Sequence, residues 1–422
     1  MNSNKLIAID LGSSRISAMA VEIQANGALK ILAEESKISD DVKWGIVEQV
    51  SGAAFKVNEL VKLLQNSSKV TDIQQVCVSV GAKSMKQIPV SITRFVGSSK
   101  IVTDQLISDI LDECESKFQQ PDTAIFDLIP LSYVLDGKKM DDPVGQRGSQ
   151  ITAKYNAIIG NSLINSELER CFDRTGIVLE YRPLVVEALS TALLDEQERE
   201  AGCALINFGA TTTTLAVYAE GSLQCLLVVP LGGKNITRDI QELGISEANA
   251  ERLKCLKGVA LEQLVLDPMY VQIPSVEPET PVVRISTQFL ATIIEARLDE
   301  MLQPIFNAIS ELPFSLEAGI IVSGGGSKLA NITEFITEKT SIYARFGDHS
   351  EWLFEGTPQR FNDPCYAQLI GTLLLTHEYR KDHPVEVTQA GPEKKPKILK
   401  RRFKDRIADS FLKFFEDDNA LN

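Results

Sequence analysis

The chain has 422 residues, enough for roughly three domain-sized units at about 150 residues each. At 44% hydrophobic and 24% charged it is neither disordered, collagen-like nor of low complexity. Its 57 acidic and 43 basic residues leave −14 at pH 7, which excludes a general nucleic-acid-binding surface because a duplex would be repelled.

Lys5 to Asp10 reads as a buried strand that ends on a carboxylate. Gly12-Ser13-Ser14 is a tight turn, and Ile16 to Ile23 alternates as the returning strand. Ala28 to Glu34 continues the strand pattern, Phe55 to Gln65 has helical spacing, and Val76 to Val80 is another buried strand. A different texture runs from Gly81 to about Ser162. Strands Ile88–Phe95 and Ile125–Leu135 flank a helix over Thr103–Phe118, with Thr103 or Asp104 as its N-cap. Asp136 to Ser149, rich in Gly, Pro and Asp, reads as an exposed loop, and Ile164 to Thr175 as a helix. Ala204 to Val217 repeats the opening pattern of strand, glycine turn and strand. Cys225 to Val229 then runs into Pro230-Leu231-Gly232-Gly233. Ile236 to Gly258 is helical, Asp267 to Pro281 irregular, Ser286 to Ile309 a long helix, and Tyr366 to Glu378 a short one. His383 to Pro396 reads as a linker, and Ile398 to Phe415 is helical again.

Seven cysteines stand singly, without a C-x-x-C, and the three histidines lack metal-ligand spacing. The simplest expectation is a reduced cytosolic protein without structural zinc. Met1 to Leu11 does not read as a signal peptide, and no window reaches the roughly 18 consecutive apolar residues of a membrane span.

Three glycine turns at the ends of buried strands carry the candidate chemistry. In Asp10-Leu11-Gly12-Ser13-Ser14, a glycine turn lets backbone N–H groups approach an anion, and the serines add donors. Asp10 is placed to hold a hydrated Mg²⁺, which favours carboxylates, waters and phosphate oxygens. Asn207-Phe208-Gly209-Ala210-Thr211-Thr212 has the same design a domain length later. Ser323-Gly324-Gly325-Gly326 offers a side-chain-free surface suited to a nucleoside. Any one of these is also an ordinary hairpin turn; two matched turns and a third after them are harder to read that way.

That order resembles the actin, Hsp70 and sugar-kinase superfamily, and more closely the FtsA family of bacterial cell-division actin homologues. Pro130-Leu131-Ser132-Tyr133-Val134-Leu135-Asp136, with Asp142-Pro143-Val144-Gly145, is similar to a segment of the small domain peculiar to that family. Leu194 to Gly202, Val229 to Thr237, and Ala250 to Lys254 with Gly258 resemble further family segments, so the likeness spans most of the chain. The resemblance implies an α/β, actin-like (ribonuclease H-like) two-lobed nucleotide-binding fold with ATP and Mg²⁺ as cofactors. It implies subdomain 1A over 1–80 and 163–199, and an inserted small α+β domain, 1C, over 81–162. Subdomain 2A takes 200–235 and 315–380, and 2B takes 236–314. Linker 381–397 and a C-terminal amphipathic helix, 398–415, follow.

By the same resemblance, Gly12, Ser13 and Ser14 hold the phosphates from one side, and Gly209, Thr211 and Thr212 from the other. Gly232, Gly233 and Asn235 line the cleft, and Gly324, Gly325 and Gly326 back the adenosine. Glu251 and Lys254 contact sugar or base, or are a solvated helix pair; Arg15 adds charge at the phosphates or faces solvent. One departure concerns the second turn, where the family usually reads D-x-G-G-G-T-T-D. Asn207 and Thr214 stand at the two aspartate positions. An amide is a poorer Mg²⁺ partner than a carboxylate and no general base, so the expectation is nucleotide binding with slow or absent turnover.

The tail is basic on an acidic protein. Lys394 to Arg406 holds eight basic residues and one acid. Leu399, Phe403, Ile407, Phe411 and Phe415 fall at steps of four, flanked by Leu412 and Phe414, while Lys400, Arg401 and Arg402 sit on other faces. About 18 residues at 1.5 Å give a helix of roughly 27 Å, suited to lying in the interface of an anionic membrane. The alternative for such a helix is docking on protein. The resemblance implies a chain that polymerises and tethers filaments of the tubulin homologue FtsZ to the inner membrane at the division site. It implies as further partners FtsZ's C-terminal peptide on 2B, other divisome proteins and copies of itself, and the charge argues against nucleic acid. The rivals are a PilM-like pilus-assembly scaffold, a small-metabolite kinase with Glu187 as candidate base, and a chaperone ATPase.

Overall fold

The computed structural model describes residues 4–68, 70, 73–118, 120–276 and 281–383. The linker beyond His383 and the expected amphipathic helix, Leu399, Lys400, Arg401, Arg402, Phe403, Ile407, Phe411, Leu412, Phe414 and Phe415 included, lie outside those residues.

The first lobe opens with a meander of β1 (Lys5–Leu11), β2 (Arg15–Ile23) and β3 (Leu29–Ile38). A small hairpin of β4 (Val42–Lys43) and β5 (Ile46–Val47) leads to α1 (Val50–Ser68) and β6 (Gln75–Cys77). Leu6, Ile7, Ala8 and Ile9 are all buried, as a strand covered on both faces requires. Helix α1 starts five residues before its expected bound, because Ala53 and Ala54 extend the buried stripe of Val57, Leu60, Val61 and Leu64.

A separate four-stranded sheet follows, built from β7 (Lys86–Ile101), β8 (Thr123–Leu135), β9 (Lys138–Met140) and β10 (Arg147–Asn161) in the order β7-β10-β8-β9. Helix α2 (Asp104–Ser116) covers it, capped by the Thr103 hydroxyl, which accepts the Leu106 N–H at 3.3 Å. Ile92, Tyr133, Ile151, Ala153, Tyr155 and Ala157 form its own core. The stretch Asp136 to Ser149, expected to be an exposed loop, is instead a hairpin entering β10. Asp136 (φ 46°) and Gly137 (φ 85°) make the turn, and the Asp136 carboxylate accepts the N–H groups of Ser149 and Gln150.

The chain returns to the first lobe through α3 (Leu163–Asp173), β11 (Val178–Tyr181) and α4 (Val185–Leu193), and leaves it through α5 (Glu196–Ala201). The second lobe repeats the plan: a meander of β12 (Cys203–Phe208), β13 (Thr213–Ala219) and β14 (Ser222–Val229), then α6 (Gly233–Gln241) and α7 (Glu247–Lys257). A two-stranded ribbon, β15 (Tyr270–Pro274) with β16 (Val282–Ser286), replaces part of the segment expected to be irregular. Then come α8 (Thr287–Ser310), β17 (Ile320–Ser323), α9 (Ile332–Thr340), β18 (Ala344–Phe346) and α10 (Ala367–Asp382).

The two large sheets have one topology. Their orders are β11-β6-β1-β2-β3 and β14-β13-β12-β17-β18, an antiparallel meander with two parallel strands added beside its first strand. Helix α10 packs on α4 and β1, so a core containing Ile9, Leu189, Leu205 and Leu373 joins the lobes beneath the cleft.

Candidate functional site

The repeated topology brings the first two glycine turns together. In the first lobe Asp10 pairs with Ser17 and Leu11 with Ile16, which leaves a four-residue turn, Gly12 to Arg15. In the second, Asn207 pairs with Thr214 and Phe208 with Thr213, leaving Gly209 to Thr212. A Cβ on Gly12 would lie 2.7 Å from the Arg15 carbonyl oxygen, and one on Gly209 2.9 Å from that of Thr212. The two backbones therefore fold alike, and both need glycine for the same close approach. The turns meet where the Thr211 hydroxyl donates to Ser13 Oγ at 2.9 Å. Ser14 and Arg15 are exposed at the first turn.

Asp10 is the penultimate residue of β1, just before the first turn. Its Oδ1 accepts from Gln368 Nε2 at 2.9 Å, and the same amide nitrogen lies 3.1 Å from Ser79 Oγ. Burial pushes the Asp10 carboxyl up to about 6, while the Gln368 hydrogen bond pulls the other way. Its Oδ2 lies beside Gly12, 3.7 Å from where a Cβ would sit. One carboxylate held this way, next to two turns of phosphate-sized donors, fits a hydrated Mg²⁺ that takes its other ligands from water and phosphate.

On the second lobe the N-terminus of α6 is stitched to the turn. Gly233 N–H donates to the Gly209 carbonyl at 3.0 Å and Lys234 N–H to that of Ala210 at 2.8 Å. Asn235, expected to line the cleft, also caps the helix: its Oδ1 accepts the Gly232 N–H at 3.0 Å. Lys254 reaches back from α7 to the Gly233 carbonyl at 2.9 Å, to Thr237 Oγ1 at 2.8 Å and to Glu251 at 2.7 Å. Thr237 also donates to Glu251. Burial alone would push the Glu251 carboxyl up, but Lys254 and Thr237 outweigh it and hold it below the ordinary range. The Glu251–Lys254 pair thus ties α7 to the start of α6 through a largely covered Lys254, while Glu251 stays exposed beside it.

The third turn follows β17, which pairs with β12, so it lies beside the second. Gly324 has φ 86°, and a Cβ there would stand 2.5 Å from Asn207 Oδ1; one on Gly326 would enter the Phe208 ring. Only Gly325 of the three faces open space. The triplet is therefore two packing glycines against the end of β12 and one open surface. Asn207, the residue at the aspartate position, spends its side chain against that turn. Glu187 sits in the first turn of α4, where Oε2 accepts the Leu184 N–H at 3.4 Å.

Three contributors escaped the sequence reading. Gln368 lay in a helix recognisable only as apolar. Thr237 looked like one hydroxyl among many. The hairpin around Trp44 offers its N–H to Thr211 Oγ1 at 3.1 Å, and Asp40 beside it pairs with Lys234 at 2.5 Å. K-W-G before α1 was the available signal for the last.

Comparison with known proteins shows the family and the fold. The family model described as "Cell division protein FtsA" matches residues 204–371, and "SHS2 domain inserted in FTSA" matches 83–159, together more than half of the chain. A Cell division protein FtsA of Borreliella burgdorferi is 25% identical over 404 residues, covering 94% of this chain and 97% of its own. That of Escherichia coli (strain K12) is 23% identical over 398 residues, covering 90% and 92%. Among solved structures, a PilM–PilN type IV pilus biogenesis complex superposes with a TM-score of 0.64 at 16% identity, covering 88% of this chain and 98% of that one. MreB5 of Spiroplasma citri bound to ADP gives 0.57 at 12% identity, covering 90% and 98%. The fold is the actin-like ATPase fold with an SHS2 insert, and the chain belongs to the FtsA family of cell-division proteins.

Proposed function

We propose that this chain binds ATP with Mg²⁺ between its paired turns, polymerises, and tethers FtsZ filaments to the cytoplasmic face of the inner membrane. The observation that carries the reading is the meeting of Ser13 and Thr211 from two lobes of one topology. In it, Gly12, Ser13 and Ser14 face Gly209, Thr211 and Thr212 across the phosphates, and Asp10 holds the metal. Gly325 backs the nucleoside, and Lys254 with Glu251 borders the sugar. The division into 1A, 1C, 2A and 2B given above belongs to this reading. Turnover is slow, because Asn207 and Thr214 leave the second turn without a carboxylate. The charged, amphipathic 398–415 segment attaches the body to anionic lipid, reversibly for one copy and firmly for a polymer through avidity.

Calorimetric titration with AMPPNP and Mg²⁺ tests the site, and absence of binding refutes it. Co-sedimentation with vesicles containing anionic lipid tests the anchor. The full chain pellets, and a chain ending at Lys397 stays in solution with nucleotide binding intact. If the shortened chain pellets equally, the tail is not the anchor. The second reading, a pilus-assembly scaffold, draws on the likeness of fold to the PilM-containing complex. It predicts no capture of an FtsZ C-terminal peptide, whereas the first predicts capture.

A further inference from the structure

The hairpin β4–β5 carries a feature that neither the nucleotide site nor the core explains. Its two turn residues, Trp44 and Gly45, both have positive φ, 52° and 80°. A two-residue turn of this kind takes Asn, Asp or Gly at its first position; a bulky aromatic there is strained. Strain of this kind persists only where the surroundings hold it, and here they hold it from two sides. Toward the cleft, the Trp44 N–H donates to Thr211 Oγ1, whose own hydrogen goes to Ser13, and Asp40 grips Lys234. Toward the SHS2 insert, the Trp44 carbonyl accepts the Lys83 N–H at 3.0 Å, and Lys83 Nζ lies 3.4 Å over the indole. A Cβ on Gly45 would lie 1.8 Å from the Gly81 carbonyl oxygen, so the turn sits directly on the segment that leads from β6 into the insert. Ser84 Oγ, one residue on, accepts the N–H of Asn161 at the insert's exit.

We propose that the Trp44 turn senses the terminal phosphate of a bound nucleoside triphosphate and transmits its presence to the inserted domain. This rests on the nucleotide reading above. Ser13 and Thr211 hydroxyls 2.9 Å apart leave no room for a phosphate chain, so a nucleotide must part them. The contacts run in order from Lys254 to Gly233, to Gly209 and Ala210, to Thr211, and then to Trp44. Trp44 therefore stands at the end furthest from the sugar-side pair. When the Thr211 side chain rotates to donate to phosphate, its Oγ1 swings away from the Trp44 N–H, which then loses its acceptor. A third phosphate supplies a charged one, whereas a diphosphate does not reach it. Whatever repositions Trp44 pulls on Lys83 and Gly81 in the entry segment and, through Ser84, on Asn161 at the end of β10.

The chain has two tryptophans, Trp44 and Trp352, so Trp352→Phe leaves Trp44 as the sole indole reporter. Emission is recorded at concentrations of AMPPNP and ADP, each with Mg²⁺, that calorimetry on the same protein shows to be saturating. AMPPNP shifts or quenches Trp44 emission and ADP leaves it near the free-protein value. Hydrogen exchange on the unaltered chain carries the same test independently of that variant. AMPPNP slows exchange at Trp44 by about fivefold relative to ADP, the factor expected for one net hydrogen bond, and changes exchange at Lys83 as well. Equal responses to the two nucleotides, or none despite measured binding, overturn the proposal while leaving the nucleotide site standing. No binding heat at all overturns the nucleotide reading and this inference with it.

Discussion

The turns Asp10–Arg15 and Asn207–Thr212 have the same register and the same glycine contact, yet one begins on a carboxylate and the other on an amide. Backbone shape is kept wherever a Cβ would strike a carbonyl. Charge is kept on one lobe only. Asp10 is held by Gln368 from α10, while Asn207 packs on the glycine triplet. In the nucleotide-binding reading proposed above, the two loops stay matched as donors for phosphate while parting as ligands for metal and as bases for water.

Exchanging the two chemistries tests this division. Asp10→Asn gives the largest effect: Mg²⁺-dependent AMPPNP affinity falls by about 100-fold in calorimetry, because the lone carboxylate is lost. The same change stabilises the free protein. Asp10 has a folded pKa of about 6 against an ordinary 3.8, so its neutral form favours the fold. That contribution is complete below about pH 4 and is lost as pH rises through 6. Urea unfolding then finds the variant more stable than wild type by up to about 3 kcal/mol at pH 7.5, with the gap closing by pH 4. Equal stability at both pH values contradicts the burial of Asp10.

Asn207→Asp restores the second carboxylate and is expected to raise Mg²⁺-dependent phosphate release by about tenfold, a change of about 1.4 kcal/mol in barrier. Unchanged release would mean that the amide is not what slows turnover. Lys254→Ala removes the tie from α7 to the Gly233 carbonyl and to Thr237. Nucleotide affinity drops about fivefold, corresponding to about 1 kcal/mol for a partly exposed charged hydrogen bond. Asp40→Ala, at an exposed ion pair, shifts affinity by less than about twofold and stability by a few tenths of a kcal/mol. A large loss there would show that Asp40 does more than pair with Lys234.

Much of this molecule was legible from residues alone. Strands β1, β12 and β17 announced themselves as apolar runs ending in glycine turns, and Thr103 marked the start of α2 as its cap. Strand β10 was hidden because its opening residues, Arg147-Gly148-Ser149, read as loop, although Ile151, Ala153, Tyr155 and Ala157 alternate in its middle. Asp136-Gly137 was a hairpin signal that the surrounding Pro and Gly obscured. The ribbon β15–β16 was similarly masked by the prolines around it. Asn235 was assigned to the cleft by likeness, and only coordinates show its amide capping α6.

Local pattern determined the strands, most of the helices and the three glycine turns, since periodicity and backbone permissiveness are properties of neighbours along the chain. It also determined that one turn carries a carboxylate and the other does not. Tertiary structure alone decided that Gln368 should reach Asp10 from 358 residues away, that Thr211 should meet Ser13, and that Trp44 should be strained between the second glycine turn and the root of an inserted domain. Such contacts arise when two sheets of one topology pack around a shared helix layer, and no spacing within either sheet encodes the distance across the cleft.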